Sequence, residues 1–88
     1  MIYFVIPVYN EAKSIAKQLD SIKDIMEKKN YSYKMVIVND GSTDNTEAIL
    51  DEYQKKMPIT VVRQEINKNV GAAFRLGFAR VLEMAKDE

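Results

Sequence analysis

A chain of 88 residues is long enough for one small domain, and its 47% hydrophobic and 30% charged residues are ordinary for a globular protein. Lysine and arginine number 13 and so do aspartate and glutamate, so the net charge gives no argument for binding nucleic acid or an acidic membrane. Absence of cysteine excludes disulfides and thiolate metal sites, and absence of histidine removes the commonest metal ligand and general base.

The longest apolar stretch begins at the first residue. Met1 to Tyr9 is far shorter than the roughly 20 residues that span a bilayer. It contains Pro7 and lacks the basic leader of a signal peptide. We therefore expect no membrane span in this segment and a cytoplasmic location.

The first predicted elements are a strand and a helix. Ile2 to Val8 is a continuous apolar run, which predicts a buried strand. Pro7 lacks an N–H group and is predicted to mark the end of this strand. Asn10 can cap the helix that follows, and Glu11 suits its positive first turn. The helix is predicted to end near Lys28 to Asn30. Its apolar residues recur at a spacing of three and four: Ala12, Ile15, Ala16, Leu19, Ile22 and Met26.

The stretch from Val36 to Thr46 carries the main signal for function. Met35 to Val38 predicts a second buried strand, and Asn39 to Asp44 contains residues that favour turns and helix caps. Parallel sheets bind ligands at the carboxyl ends of their strands, so Asp40 lies where a side chain would meet a ligand. Ser42, Thr43 or Asp44 is predicted to cap the second helix.

The rest of the chain repeats this pattern. The second helix is predicted to bury Ile49, Leu50, Tyr53 and Met57 and to stop at Pro58. Ile59 to Gln64 is a predicted third strand, Asn67 to Gly71 a turn, and Val70 to about Lys86 a third helix. The third helix is apolar around most of its circumference, so we expect it to be covered on more than one side.

These elements predict a Rossmann-like α/β fold with the order βαβαβα. Right-handed crossovers give three parallel strands in the order 3-2-1 with helices on both faces. The apolar first strand then lies at an open edge, which is a liability unless another strand pairs with it. We therefore expect the chain to be the front part of a larger domain. We also expect the isolated chain to form a homodimer or larger oligomer.

Three segments together resemble the family 2 glycosyltransferases, whose catalytic domain has the nucleotide-sugar-binding GT-A fold. They are VIPVYNE from Val5 to Glu11, VNDGSTDNT from Val38 to Thr46, and NKNVGAAFRLGF from Asn67 to Phe78. Within this family, the three segments most resemble those of the dolichol- or polyprenyl-phosphate sugar transferases. The resemblance implies that residues 1–88 are the nucleotide-binding part of an enzyme that moves a sugar from a UDP- or GDP-sugar to a lipid phosphate or a polysaccharide. It also implies a parent enzyme at the cytoplasmic face of the membrane.

The resemblance also assigns roles to individual residues. Tyr9 would lie near the base, Glu11 toward the ribose or base, and Asp40 would accept a hydrogen bond from a ring N–H of the base. An aromatic ring and a carboxylate are what recognition of uracil or guanine requires. The full set of implied nucleotide-binding residues is Pro7, Tyr9, Glu11 and Asp40, with Lys68 and Arg75 where basic groups can approach the diphosphate.

The sequence departs from the family pattern in two ways. Asn39 replaces the first aspartate of an Asp-Asp pair, which keeps an acceptor but loses the charge. The family's Asp-x-Asp metal motif and its catalytic base are expected beyond Glu88, so we assign no catalytic residue and no metal ligand here. The full-length enzyme is expected to use Mg or Mn. This segment alone is expected to bind no metal and to transfer no sugar.

Simpler interpretations stand beside these roles. Pro7 can simply end the strand, and Tyr9 can be an aromatic residue at the edge of the sheet without a ligand. Asp40 can be a turn residue whose side chain bonds its own backbone. Gly71 and Gly77 favour a turn and close helix packing. The main alternative function is a non-catalytic nucleotide-binding or structural α/β module. A different α/β nucleotide binder is disfavoured, because Gly-x-Gly-x-x-Gly and Gly-Lys-Ser/Thr are both missing.

Overall fold

The computed structural model describes residues 1–64 and 70–86. The elements in chain order are β1 (Ile2–Val8), α1 (Ile15–Lys29), β2 (Tyr33–Asp40), α2 (Thr46–Gln54), β3 (Ile59–Gln64) and α3 (Val70–Lys86). Within these ranges the strands form a parallel sheet in which β2 lies between β1 and β3. The predicted strand order 3-2-1 is confirmed. Most of the predicted turn from Asn67 to Gly71, including Lys68, lies outside the described residues.

The second strand is the centre of the sheet and of the core. Every residue from Met35 to Asp40 is buried, because β2 has a strand on each side and helices over each face. A strand covered in this way needs the continuous apolar run that the sequence supplies. At the carboxyl end of β2, Val8 pairs with Asn39 and Asp40 pairs with Gln64.

Helices α1 and α2 cover one face of the sheet. Ile15 and Leu19 of α1 and Leu50 of α2 are fully buried in a cluster with Met35 and Ile37 of β2. The cluster also contains Tyr53, whose hydroxyl donates a hydrogen bond of 2.7 Å to Asp20 of α1 and so joins the two helices. The apolar faces that the sequence predicts are confirmed within the two helices, but Ala12 precedes α1. Helix α2 ends at Gln54 and not at Pro58 as predicted, so Met57 is buried in the segment that follows the helix.

Helix α3 covers the opposite face and lies unusually close to it. Its Ala73 is buried against Val36 and Val38 of β2. A Cβ atom added to Gly77 would overlap with Cγ1 of Val5 and would lie 3.3 Å from Cγ2 of Val38. The predicted role of Gly77 in close helix packing is therefore confirmed.

The outer side of α3 remains exposed. Phe74, Phe78 and Leu82 are all exposed there, and the two phenylalanine rings stack with centroids 6.3 Å apart. The second layer of cover that the sequence predicts for this helix is not supplied by residues 1–64 or 70–86. Across those same residues, no helix combines the length and the apolar composition needed to cross a bilayer.

Strand β1 has the predicted bounds Ile2–Val8, and Pro7 lies one residue before its end, which is tolerated because β1 lies at the edge of the described sheet. The predicted capping role of Asn10 was wrong. Asn10 does not cap the first helix, since α1 begins at Ile15 and Ser14 precedes it. Asn10 instead adopts a left-handed backbone conformation with φ of 49°, and its side chain points to a different loop.

Candidate functional site

Two loops meet at the carboxyl edge of the sheet. Loop 1 (residues 9–14) follows β1 and loop 2 (residues 41–45) follows β2. The two strands are parallel neighbours in register, with Val8 opposite Asn39, so the chain leaves both strands at the same place. This is the edge at which open α/β sheets bind ligands.

Asp40 is the last residue of β2 and is only 4% exposed. It lies two residues after Val38 on the same strand, so it belongs to the face that α3 covers. The side-chain amide of Gln64, its register partner on β3, donates a hydrogen bond of 2.7 Å to its Oδ1 atom. This donor fixes the orientation of the carboxylate. Gln64 is not among the site residues predicted from the sequence, where its only signal is its place at the end of the adjacent strand.

Three other proposed nucleotide-binding residues lie at the end of β1. Pro7 is half-buried and pairs with Val38, while Tyr9 directly follows the strand and is 47% exposed. Glu11 is half-buried, and its backbone N–H donates to Thr46 Oγ1 at 3.0 Å. The structure therefore brings these three residues to the same edge as Asp40.

Of the two basic residues proposed to approach the diphosphate, only Arg75 lies in the described part of the chain. Arg75 is exposed on α3, the helix that covers the face to which Asp40 belongs. Lys68 lies outside the described residues, so its predicted approach to a diphosphate stays a prediction.

Side chains of each loop bind the backbone of the other. Asn10 Oδ1 accepts hydrogen bonds from the N–H groups of Thr43 and Asp44, at 2.7 and 3.3 Å. In return, Ser42 Oγ accepts from the N–H of Asn10 at 3.0 Å, and Asp44 Oδ2 accepts from the N–H of Ala12 at 3.2 Å. From the sequence alone, all of these polar residues are predicted to be local helix caps.

Asp44 also bonds the start of its own helix, although the N-cap residue of α2 is Asn45 and not Ser42, Thr43 or Asp44 as the sequence predicts. Its Oδ1 atom accepts from the N–H of Thr46 at 2.9 Å, at the start of α2, and from the Thr46 hydroxyl. These hydrogen bonds, that of the hydroxyl foremost, hold the pKa of the Asp44 carboxyl below its ordinary value. Asp44 is therefore an anion at neutral pH, which suits the positive end of a helix.

Asn39 belongs to the opposite face from Asp40. It lies two residues after Ile37 on the strand and so shares the face that α1 and α2 cover, where it is 4% exposed. Its Oδ1 atom finds no hydrogen-bond donor within residues 1–64 and 70–86. An aspartate here would bury a charge in the same surroundings, which is costly without a partner. The neutral amide that departs from the family pattern therefore fits its environment.

A polar cleft of about 290 Å³ lies between the ends of β2 and β3. Arg63, the cationic residue that lines this cleft, forms ion pairs with Glu47 and with Asp51, the latter at 3.1 Å. The cleft is lined by Asn39, Gly41, Ser42, Glu47, Arg63 and Gln64.

The described part of the chain does not offer a metal site. Within residues 1–64 and 70–86, no three histidine, cysteine, aspartate or glutamate side chains lie close enough to hold an ion together. The divalent metal that the resemblance implies therefore has no ligand set among these residues.

Comparison with known proteins gives a consistent result. Residues 3–83 match a protein family described as Glycosyl transferase family 2. The chain is 40% identical over 83 residues to a dolichyl-phosphate beta-glucosyltransferase of Trichomonas vaginalis. It is 30% identical over 101 aligned positions to a UDP-N-acetylglucosamine–dolichyl-phosphate N-acetylglucosaminyltransferase of Methanococcus voltae. These alignments cover 88% and 99% of the chain but only 26% and 38% of the two relatives.

Solved structures extend this likeness to the fold. S. aureus TarS, which has also been crystallised in complex with UDP, matches the chain with a TM-score of 0.62 and 34% sequence identity. The match covers 76% of this chain and 20% of the TarS chain. The chain thus spans about a quarter of the first relative and a fifth of TarS.

Proposed function

The chain belongs to glycosyl transferase family 2, and we propose that it binds the nucleotide of a UDP- or GDP-sugar whose sugar the whole protein transfers to an acceptor. The observation that carries this proposal is the place of Asp40, a buried and oriented carboxylate at the shared end of β1 and β2. The likeness to TarS, crystallised with UDP, supports the same ligand class.

Each proposed contact has a chemical reason. The exposed ring of Tyr9 stacks on the base, and the Asp40 carboxylate accepts a hydrogen bond from a ring N–H of uracil or guanine. Adenine offers no ring N–H on its pairing edge, so it is discriminated against. Pro7 and Glu11 line the pocket beside the base and ribose, while Arg75 and Lys68 approach the diphosphate.

The larger reaction is a proposal about the whole protein. Residues 1–88 form the nucleotide-binding part of a longer domain, in keeping with the greater length of the relatives. The names of those relatives support a dolichyl-phosphate acceptor. Our proposal also includes other polyprenyl phosphates, a polysaccharide as the second acceptor class, and transfer at the cytoplasmic face of a membrane. The divalent metal and the catalytic base come from outside residues 1–88, so this segment alone transfers no sugar.

Calorimetric titration of UDP, GDP and ADP tests the role of Asp40. A charge-assisted hydrogen bond contributes about 1.5–3 kcal/mol, so Asp40→Ala should lose roughly 10- to 100-fold in affinity for the preferred diphosphate. Asp24→Ala is the matched control, because it removes an exposed carboxylate of α1, which forms a surface ion pair of 3.3 Å with Lys28. Equal affinities of wild type and Asp40→Ala would remove the assignment. A structural module without a ligand predicts no binding of any diphosphate.

A further inference from the structure

In both loops of the site, the chain makes a tight turn at the residue that follows the proposed base contact. Asn10 follows Tyr9 and has a φ of 49°, and Gly41 follows Asp40 and has a φ of 74°. Left-handed backbone is open to glycine and, among other residues, is most tolerated by asparagine and aspartate. The chain therefore reverses at matching positions on two neighbouring strands.

The turns are joined by a reciprocal set of hydrogen bonds, which we call the loop lock. Three successive N–H groups of loop 1 donate to side chains of the segment after β2: Asn10 to Ser42 Oγ, Glu11 to Thr46 Oγ1, and Ala12 to Asp44 Oδ2, at 3.0, 3.0 and 3.2 Å. Asn10 Oδ1 accepts from two N–H groups of loop 2 in return. If either loop moves alone, these N–H groups lose their side-chain acceptors, and most of them must then bond to water because their hydrogen bonds are exposed.

We infer that Asn10 and Asp44 are positioning residues that hold Tyr9 and Asp40 in one arrangement for the base. The inference rests on the proposed function, since it concerns the same site. Asn10 is bonded to the loop after Asp40 while its own backbone sets the direction in which the chain leaves Tyr9. Asp44 bonds loop 1 through one oxygen and the start of α2 through the other.

A positioning role has a signature that differs from a contact role. When the lock opens, only a fraction of the molecules keeps the arrangement that binds, and the apparent dissociation constant rises by the inverse of that fraction. All diphosphates then lose affinity by the same factor, and the preference among bases is unchanged. Loss of Asp40 instead changes the preference itself.

Asn10→Gly is the most informative variant. Glycine adopts the left-handed backbone of Asn10 without cost, so the turn survives while the Oδ1 acceptor is lost. Asn10→Asp restores an acceptor near the positive start of α2 and is the conservative rescue. Asn30→Gly is the matched control, because Asn30 has a φ of 56° at the end of α1 and bonds the carbonyl of Glu27 through its backbone.

Asp44→Asn is an independent second variant. It keeps the size of the side chain but turns one acceptor oxygen into an NH₂ donor. That donor must then face the N–H of Ala12 or of Thr46, both of which need an acceptor. The same loss of affinity is expected as in Asn10→Gly.

NMR titration with UDP and GDP, combined with amide hydrogen exchange of the free protein, tests the inference. Asn10→Gly and Asp44→Asn should exchange faster at residues 10–12 and 43–44 and bind both diphosphates about five- to tenfold more weakly. Asn10→Asp and Asn30→Gly should stay within about twofold of wild type, since the acceptor or the site is intact.

The outcomes separate this inference from the proposed function. Unchanged exchange in both variants, or faster exchange with wild-type affinity, overturns the positioning role while the nucleotide site stands. A change in base preference in Asn10→Gly also overturns it, because it would make Asn10 a contact residue. No binding of UDP or GDP by the wild-type chain overturns the proposed function and this inference with it.

Discussion

Replacing Gly77 with alanine tests how closely α3 packs on the sheet. The new Cβ atom would overlap with Cγ1 of Val5 on β1 and would lie 3.3 Å from Cγ2 of Val38 on β2. Both neighbours are β-branched and have few rotamers to escape into. The helix must therefore move away from the sheet, or Val5 must leave its place.

The expected net effect is a loss of stability. Overpacking of this kind costs about 1–3 kcal/mol, whereas alanine gains about 1 kcal/mol over glycine in a helix interior. The difference is a loss of about 1 kcal/mol, which lowers the Tm of a domain of this size by roughly 4–8 °C.

Thermal unfolding followed by circular dichroism measures this effect. Gly71→Ala is the matched control, because it makes the same substitution at an exposed position of the same helix. Its Tm should stay level or rise, since only the gain in helix propensity applies. A Gly77→Ala variant as stable as Gly71→Ala would refute the close approach of α3.

Two further predictions concern acid and self-association. The hydrogen bonds of Asp44, that from the Thr46 hydroxyl foremost, lower its pKa in the folded state and so stabilise the fold. This stabilisation is fully present above the unfolded pKa of about 3.9 and is lost as the pH falls through the lower folded pKa. In urea unfolding, the advantage of wild type over Asp44→Asn should thus shrink below about pH 4, and an advantage independent of pH would contradict this. The chain should also dimerise, because β1 lies at the edge of the described sheet and Phe74, Phe78 and Leu82 are exposed. Light scattering at micromolar concentration should give twice the mass of the 10.1 kDa monomer, and a sharp monomer peak would contradict it.

The fold was predictable because its signals are local. Each strand is a short apolar run with turn residues at its end, and each of the first two helices shows an apolar face at a spacing of three and four. The right-handed crossover then leaves one strand order for three parallel strands. The run from Met35 to Val38 predicted the central strand for this reason, and its burial confirms the prediction.

The contacts of the site were less predictable because they join distant segments. Asn10 was interpreted by a local rule as a helix cap, yet its side chain bonds Thr43 and Asp44 on the other loop. Gln64 was predicted only as the end of a strand, and its hydrogen bond to Asp40 depends on the register of β2 with β3. Neither register nor loop pairing can be obtained from the spacing of residues within one segment.

The central claim is that the shared edge of β1 and β2 binds a uridine or guanosine diphosphate. A titration of the ¹⁵N-labelled wild-type chain with UDP, GDP and ADP, followed by two-dimensional NMR, tests it most directly, because weak binding is still visible at each backbone amide. UDP or GDP should shift the signals of residues 9–12 and 40–46, whereas ADP at the same concentration should not. Equal shifts with ADP, or shifts that lie away from these two loops, would show that this edge is not the nucleotide site.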